Sequence, residues 1–127
     1  MVVVMRIKID RMSRLKYYWI LDGHTPVYCP NIYQWTEWIW QARQDNTLHV
    51  GLDYIGEVKI STVFLGRNAQ IFPEHKPLLF ETMVFGLIDD EIDLQCRYST
   101  WEEALKGHQA ILKRVEMLIA KVGSDRA

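Results

Sequence analysis

Five side chains able to hold or move charge come from three places in this sequence. Asp22 and His24 flank Gly23, Arg67 and His75 come from one irregular stretch with Lys76 beside the histidine, and Glu81 stands in an apolar run. Histidine changes charge near neutral pH, so beside a carboxylate it can take up or release a proton. With arginine and lysine nearby, the same residues could hold an anion. If the stretch 67–77 folds over the turn at Gly23, the five could line a pocket for a small ligand, with a nucleotide as one candidate. The competing expectation is a set of separate surface residues. For Glu81 it is an ion pair with a lysine or arginine on a neighbouring strand, because a buried carboxylate must be paired, hydrogen-bonded or protonated.

Two predicted strands position these residues. In Glu57–Leu65, Val58, Ile60, Thr62 and Phe64 share one face, opposite Lys59 and Ser61. In Leu78–Phe85, Leu78, Phe80, Thr82 and Val84 share a face, and Glu81 lies on the other with Leu79, Met83 and Phe85. Period-two alternation with β-branched residues is the pattern of a half-buried strand. Arg67–Pro77 between them is long for a hairpin loop, and such loops often carry function.

Further strands are expected at Leu15–Leu21, Leu48–Leu52 and Leu94–Tyr98, with Asp22-Gly23 as a turn and His24–Pro30 as an extended connector. Asn31 can cap a first helix in which Ile32, Trp35, Ile39 and Ala42 share one side. Tyr33 and Trp40 fall on the opposite side, seven residues apart, as a candidate partner-binding pair. Thr100 and Glu103 form a capping box for a last helix, which Gly123 is expected to end. His108 lies on that helix's apolar stripe and is expected to be a hydrogen-bonded core residue; His49 is isolated. The order of elements gives an α+β domain, an antiparallel β-sheet with two α-helices packed on one face.

At 127 residues the chain reads as a single domain, with residues 1–14 as an N-terminal extension or edge strand and Met12 as a second plausible start. A net charge of −1 argues against a general nucleic-acid binder. The first 16 residues do carry five cations against Asp10 alone, a tip expected to be solvated surface. Cys29 and Cys96 make neither a CxxC pair nor a disulfide framework and read as reduced and cytosolic. No apolar run reaches membrane-helix length. Asp89, Asp90, Glu91 and Asp93 lack the calcium-loop spacing and read as a solvated loop. No nucleotide-binding glycine loop, nucleophile elbow or zinc spacing is present, so no catalytic residue, metal or cofactor is assigned.

Four ordered motifs add a resemblance. Tyr17-Tyr-Trp-Ile-Leu-Asp-Gly-His-Thr-Pro-Val27, Ser61-Thr-Val-Phe-Leu-Gly66, Pro77-Leu-Leu-Phe-Glu-Thr-Met-Val-Phe-Gly86 and Arg97-Tyr-Ser-Thr-Trp-Glu-Glu-Ala104 with Gly107-His108 resemble a family of small uncharacterised bacteriophage and prophage proteins. The similarity runs from Tyr17 to His108. It departs at Tyr28, where the family often has proline, and at Arg67-Asn68, where it often has an acidic residue followed by histidine. The resemblance implies a phage-related setting in the bacterial cytoplasm and brings no activity with it. With no catalytic motif, the expected role is a protein that binds a host protein, as an inhibitor of bacterial defence of the anti-CRISPR kind would. The alternative is a small-ligand or nucleotide binder, or a minor enzyme, using the Asp22, His24 and His75 region.

Overall fold

The even-numbered residues of Val58–Phe64 are the ones marked for burial by their alternation. In the computed structural model, which describes residues 16–87 and 94–126, Val58, Ile60, Thr62 and Phe64 are all buried, while Lys59, Ser61 and Val63 are half-buried. The chain runs β1 (Trp19–Asp22), β2 (Thr25–Tyr28), α1 (Ile32–Gln44), β3 (His49–Ile55), β4 (Val58–Phe64), β5 (Phe80–Phe85), β6 (Cys96–Tyr98) and α2 (Trp101–Arg126). β1 and β2 form a two-stranded antiparallel hairpin, and β3-β4-β5-β6 form a four-stranded antiparallel meander. The expected α+β class, a sheet with helices packed on it, is what the chain adopts. The expectations for residues 1–14 and for the acidic loop at 89–93 lie outside the described residues.

α2 crosses all four strands of the meander. Its Ile111 and Val115 pack with Val58, Ile60 and Leu94, and its Ala104 packs with Phe64, Leu79 and Phe80. Fully burying side chains of this size stabilises by roughly 1.5–3 kcal/mol each. α1 reaches the same sheet face through Trp38, whose ring meets Phe64 edge-on at 5.9 Å. Thr100 caps α2 as expected, the Glu103 amide donating to Thr100 Oγ1 at 3.1 Å, while the Thr100 hydroxyl, not its amide, donates to Glu103 Oε1 at 3.1 Å.

Trp35 ties α1 to the rest. Its indole N–H donates to the carbonyl oxygens of both Trp19 (3.0 Å) and Gly66 (2.8 Å), and the Trp19 amide donates to the same Gly66 oxygen. Gly66 has φ +72°, and a β-carbon there would lie 2.9 Å from Ile39 Cδ1. Only glycine both turns the chain and admits the helix at this point.

The outer sheet face carries Leu52, Tyr54, Met83 and Phe85, all exposed, with the Lys59 ammonium 5.6 Å from the Phe85 ring centre. β3 is an edge strand, interrupted by a bulge between His49 and Gly51 and carrying the charge of Asp53 toward the covered face. Both features discourage pairing with another strand.

Several boundaries differ from expectation, with β3 running on to Ile55 and β6 starting only at Cys96. His24–Pro30 is no simple connector, because Thr25–Tyr28 pairs back on β1. Pro26 is tolerated there because the two-stranded hairpin leaves it an edge position. β5 begins at Phe80 because the Leu78 amide is taken by the Asn68 side chain at 3.0 Å. α2 runs through Gly123 to Arg126. A helical glycine costs about 1 kcal/mol but does not force a turn, and the preceding turns are held to the sheet by Val115, Leu118 and Ile119.

Two glycines of α2 have opposite surroundings. A β-carbon at Gly107 would collide with the Tyr98 ring, whereas at Gly123 it would meet nothing within 4 Å. Gly107→Ala is expected to lower stability by about 1–2 kcal/mol, as overpacking outweighs the helix-propensity gain. Gly123→Ala is expected to raise stability by up to about 1 kcal/mol. Urea unfolding of both variants checks this; a stabilised Gly107→Ala protein contradicts the packing.

Candidate functional site

The covered face of the sheet contains a line of polar groups. Thr62 and Thr82 are cross-strand partners, both fully buried, with hydroxyl oxygens 2.5 Å apart. Thr62 Oγ1 lies 2.7 Å from His108 Nδ1, and His108 Nε2 lies 2.6 Å from Asp53 Oδ2. At the other end Thr82 Oγ1 lies 3.1 Å from the Tyr98 hydroxyl. Two glycines make room: a β-carbon at Gly51 would lie 2.8 Å from the His108 ring, and one at Gly107 would strike Tyr98.

The hydrogen bonds along this line can run in one of two directions, set by the charge on His108. The Asp53 carboxylate can only accept, so His108 Nε2 carries a hydrogen and donates it. For neutral imidazole, Nδ1 then accepts from Thr62 and Thr62 accepts from Thr82; for imidazolium, Nδ1 donates to Thr62, Thr62 donates to Thr82, and Thr82 donates to the Tyr98 oxygen. Each hydroxyl donates once and each bond holds one proton, which satisfies a buried polar chain without an orphan group.

Hydroxyl, histidine and carboxylate in this order also describe an activated nucleophile with its base and orienting group. The burial decides against that use. Thr62 and Thr82 have no exposed surface and His108 is 2% exposed, while the Asp53 side chain is 45% exposed. Solvent touches the line at its two ends, Asp53 and the half-buried Tyr98, and no substrate reaches the Thr62 oxygen. The arrangement positions α2 on the sheet.

The residues expected to bind a ligand are placed as follows. Glu81 accepts from Arg97 Nε at 2.8 Å and from Gln95 Nε2 at 2.9 Å on the outer face, so it meets the neighbouring-strand arginine that its burial requires. His24 stacks flat on Trp101, centroids 3.8 Å apart, and Trp101 meets Phe80 on the covered face. The sheet therefore separates Glu81 from His24. Arg67 pairs with Tyr18, four residues and roughly 13 Å of strand from the exposed Asp22. His75 lies against Phe72 within the long loop, 5.4 Å between centroids. None of these contacts joins two of the five.

The two partner-binding candidates stand on one exposed side of α1. Tyr33 is 82% exposed and Trp40 60%. Beside them an open groove is lined by Gln34, Glu37, Trp38, Trp40 and Gln41. Asn31 caps the helix, accepting from the Tyr33 and Gln34 amides.

Among the described residues, no group of three or more histidine, cysteine, aspartate or glutamate side chains converges to hold a metal ion, and no helix is long and apolar enough to cross a membrane. Compared with known proteins, the chain matches no family model, no curated protein and no solved structure.

Sequence reasoning had His108 as a hydrogen-bonded core residue and missed Asp53, Thr62, Thr82 and Tyr98. A usable signal was present. Two threonines on the apolar faces of adjacent strands, with a histidine on the apolar stripe of a helix, are three polar groups that must satisfy one another if buried together.

Burial pushes the Tyr98 phenol above its ordinary 10.0; the Thr82 hydroxyl acts against this, and nearby Cys96 adds to the rise. The folded state thus holds this proton more tightly than the unfolded state. The stability so gained is complete below pH 10 and is lost as pH climbs through the folded value. Unfolding free energy measured from pH 9 to pH 12 by denaturant titration is expected to fall less steeply in Tyr98→Phe than in the parent. Parallel curves would remove Tyr98 as a contributor.

Proposed function

We propose that this chain is a protein-binding module that docks through the exposed side of α1. The observation that carries this reading is the exposure of Tyr33 and Trp40 together on one short helix. Tyrosine and tryptophan are the residue types that most often dominate binding energy at interfaces. Their helix is already held, by the Asn31 cap at its start and by the two hydrogen bonds of Trp35 on its covered side. A preformed surface loses little conformational entropy on docking. The four sequence motifs support a phage-related setting for this role, with a bacterial host protein as the partner and a component of anti-phage defence as the natural class of target.

Affinity capture from bacterial lysate with the parent and with Tyr33→Ala/Trp40→Ala tests the reading. The parent is expected to retain a stoichiometric protein that the double variant binds at least about 30-fold more weakly, a loss of about 2 kcal/mol. Both side chains are exposed, so thermal unfolding of the two proteins is expected to coincide. A protein retained equally by both would overturn the assignment of this surface.

A further inference from the structure

The groove beside Tyr33 and Trp40 has a chemistry of its own. Glu37 sits between the two aromatic residues at helical spacing, four residues after Tyr33 and three before Trp40, so the three share one side of α1. Among the described residues no lysine, arginine or histidine pairs with Glu37. Arg43, the one cation within α1, is not among the residues lining the groove. Gln41 contributes an acceptor, because its amide nitrogen donates to Asp45 Oδ1 at 3.1 Å and leaves the carbonyl oxygen free. Trp38 is half-buried against Phe64 and forms a fixed inner wall.

The groove thus offers a carboxylate with no counter-ion among the described residues, a glutamine carbonyl oxygen, and the rings of Trp38 and Trp40 with Tyr33 alongside. A planar cation with several N–H donors can pair with the carboxylate and stack on an adjacent ring at once. Aromatic faces attract cations, and a guanidinium both stacks on such faces and forms a forked pair with a carboxylate. An ammonium has neither the plane nor the fork. We infer that the groove binds an arginine side chain presented by the partner protein, with Glu37 as its counter-ion and Trp40 as its stacking face. This inference rests on the docking role of α1 and specifies the partner's contact residue.

The test uses the full chain labelled with nitrogen-15 and titrated with N-acetyl-arginine amide. The neutral isostere N-acetyl-citrulline amide and N-acetyl-lysine amide serve as comparisons. Saturable shifts of the Trp38 and Trp40 indole resonances are expected with the arginine amide, several-fold larger than with lysine amide, absent with citrulline amide, and lost in Glu37→Gln. Equal shifts from all three amides, none from any, or full shifts in Glu37→Gln would overturn the inference. Lysate capture separates it from the reading beneath it. A protein lost by Tyr33→Ala/Trp40→Ala but held at full affinity by Glu37→Gln would leave the docking role standing and remove the arginine. A protein bound at least tenfold more weakly by Glu37→Gln supports both.

Discussion

One unbroken line of hydrogen bonds, buried at its centre, determines how α2 lies on the sheet. It starts at Asp53 on the edge strand, passes through His108 of α2, crosses Thr62 and Thr82 on the two central strands and ends at Tyr98 on β6. Four strands and a helix are held in register by groups that each need the next. An apolar interface tolerates small slides of one element on another, because dispersion and burial have no direction. A buried hydroxyl or imidazole does not, since leaving it unsatisfied costs about 1–3 kcal/mol. The apolar clusters on either side supply most of the stabilisation, and the polar line selects one alignment among those they would allow.

The other constraints follow from that alignment. Gly51 and Gly107 are required where rings of the line press on backbone, and the Thr100 cap starts α2 within reach of His108. With the covered face occupied by α2, α1 docks at the far corner, where Trp38 meets Phe64 and Trp35 caps the Gly66 oxygen. That leaves the opposite side of α1 turned to solvent, carrying Tyr33, Glu37 and Trp40. The exposed side of α1 thus lies apart from the line beneath the sheet, and substitutions there are expected to leave that line undisturbed.

Much of the fold could be read directly from the chain. Alternation in Val58–Phe64, the Asn31 and Thr100 caps and the long stripe of α2 each have one physical reading. So did the need of Glu81 for a basic neighbour, met by Arg97. The pairing of Thr25–Tyr28 was hidden because Pro26 removes the usual strand signature. The contributions of Asp53 and Tyr98 could not be seen because they depend on cross-strand register, which a single sequence does not encode locally. The four ordered sequence motifs largely coincide with scaffold: they contain Thr62, Gly66, Thr82, Tyr98 and His108, together with the stacked His24 and Trp101. Tyr33, Glu37 and Trp40 lie outside them, as exposed residues that make no core contact can.

The most direct test of the central claim is a double-mutant cycle on Thr62→Val and Thr82→Val, followed by equilibrium unfolding. Valine keeps the shape of threonine and removes only the hydroxyl. If the two hydroxyls act as consecutive links, each single change strands a buried neighbour and costs about 1–3 kcal/mol, and the double variant loses less than the sum by more than about 0.5 kcal/mol. Additivity within about 0.3 kcal/mol would mean that the threonines act independently and that no continuous line holds α2 to the sheet.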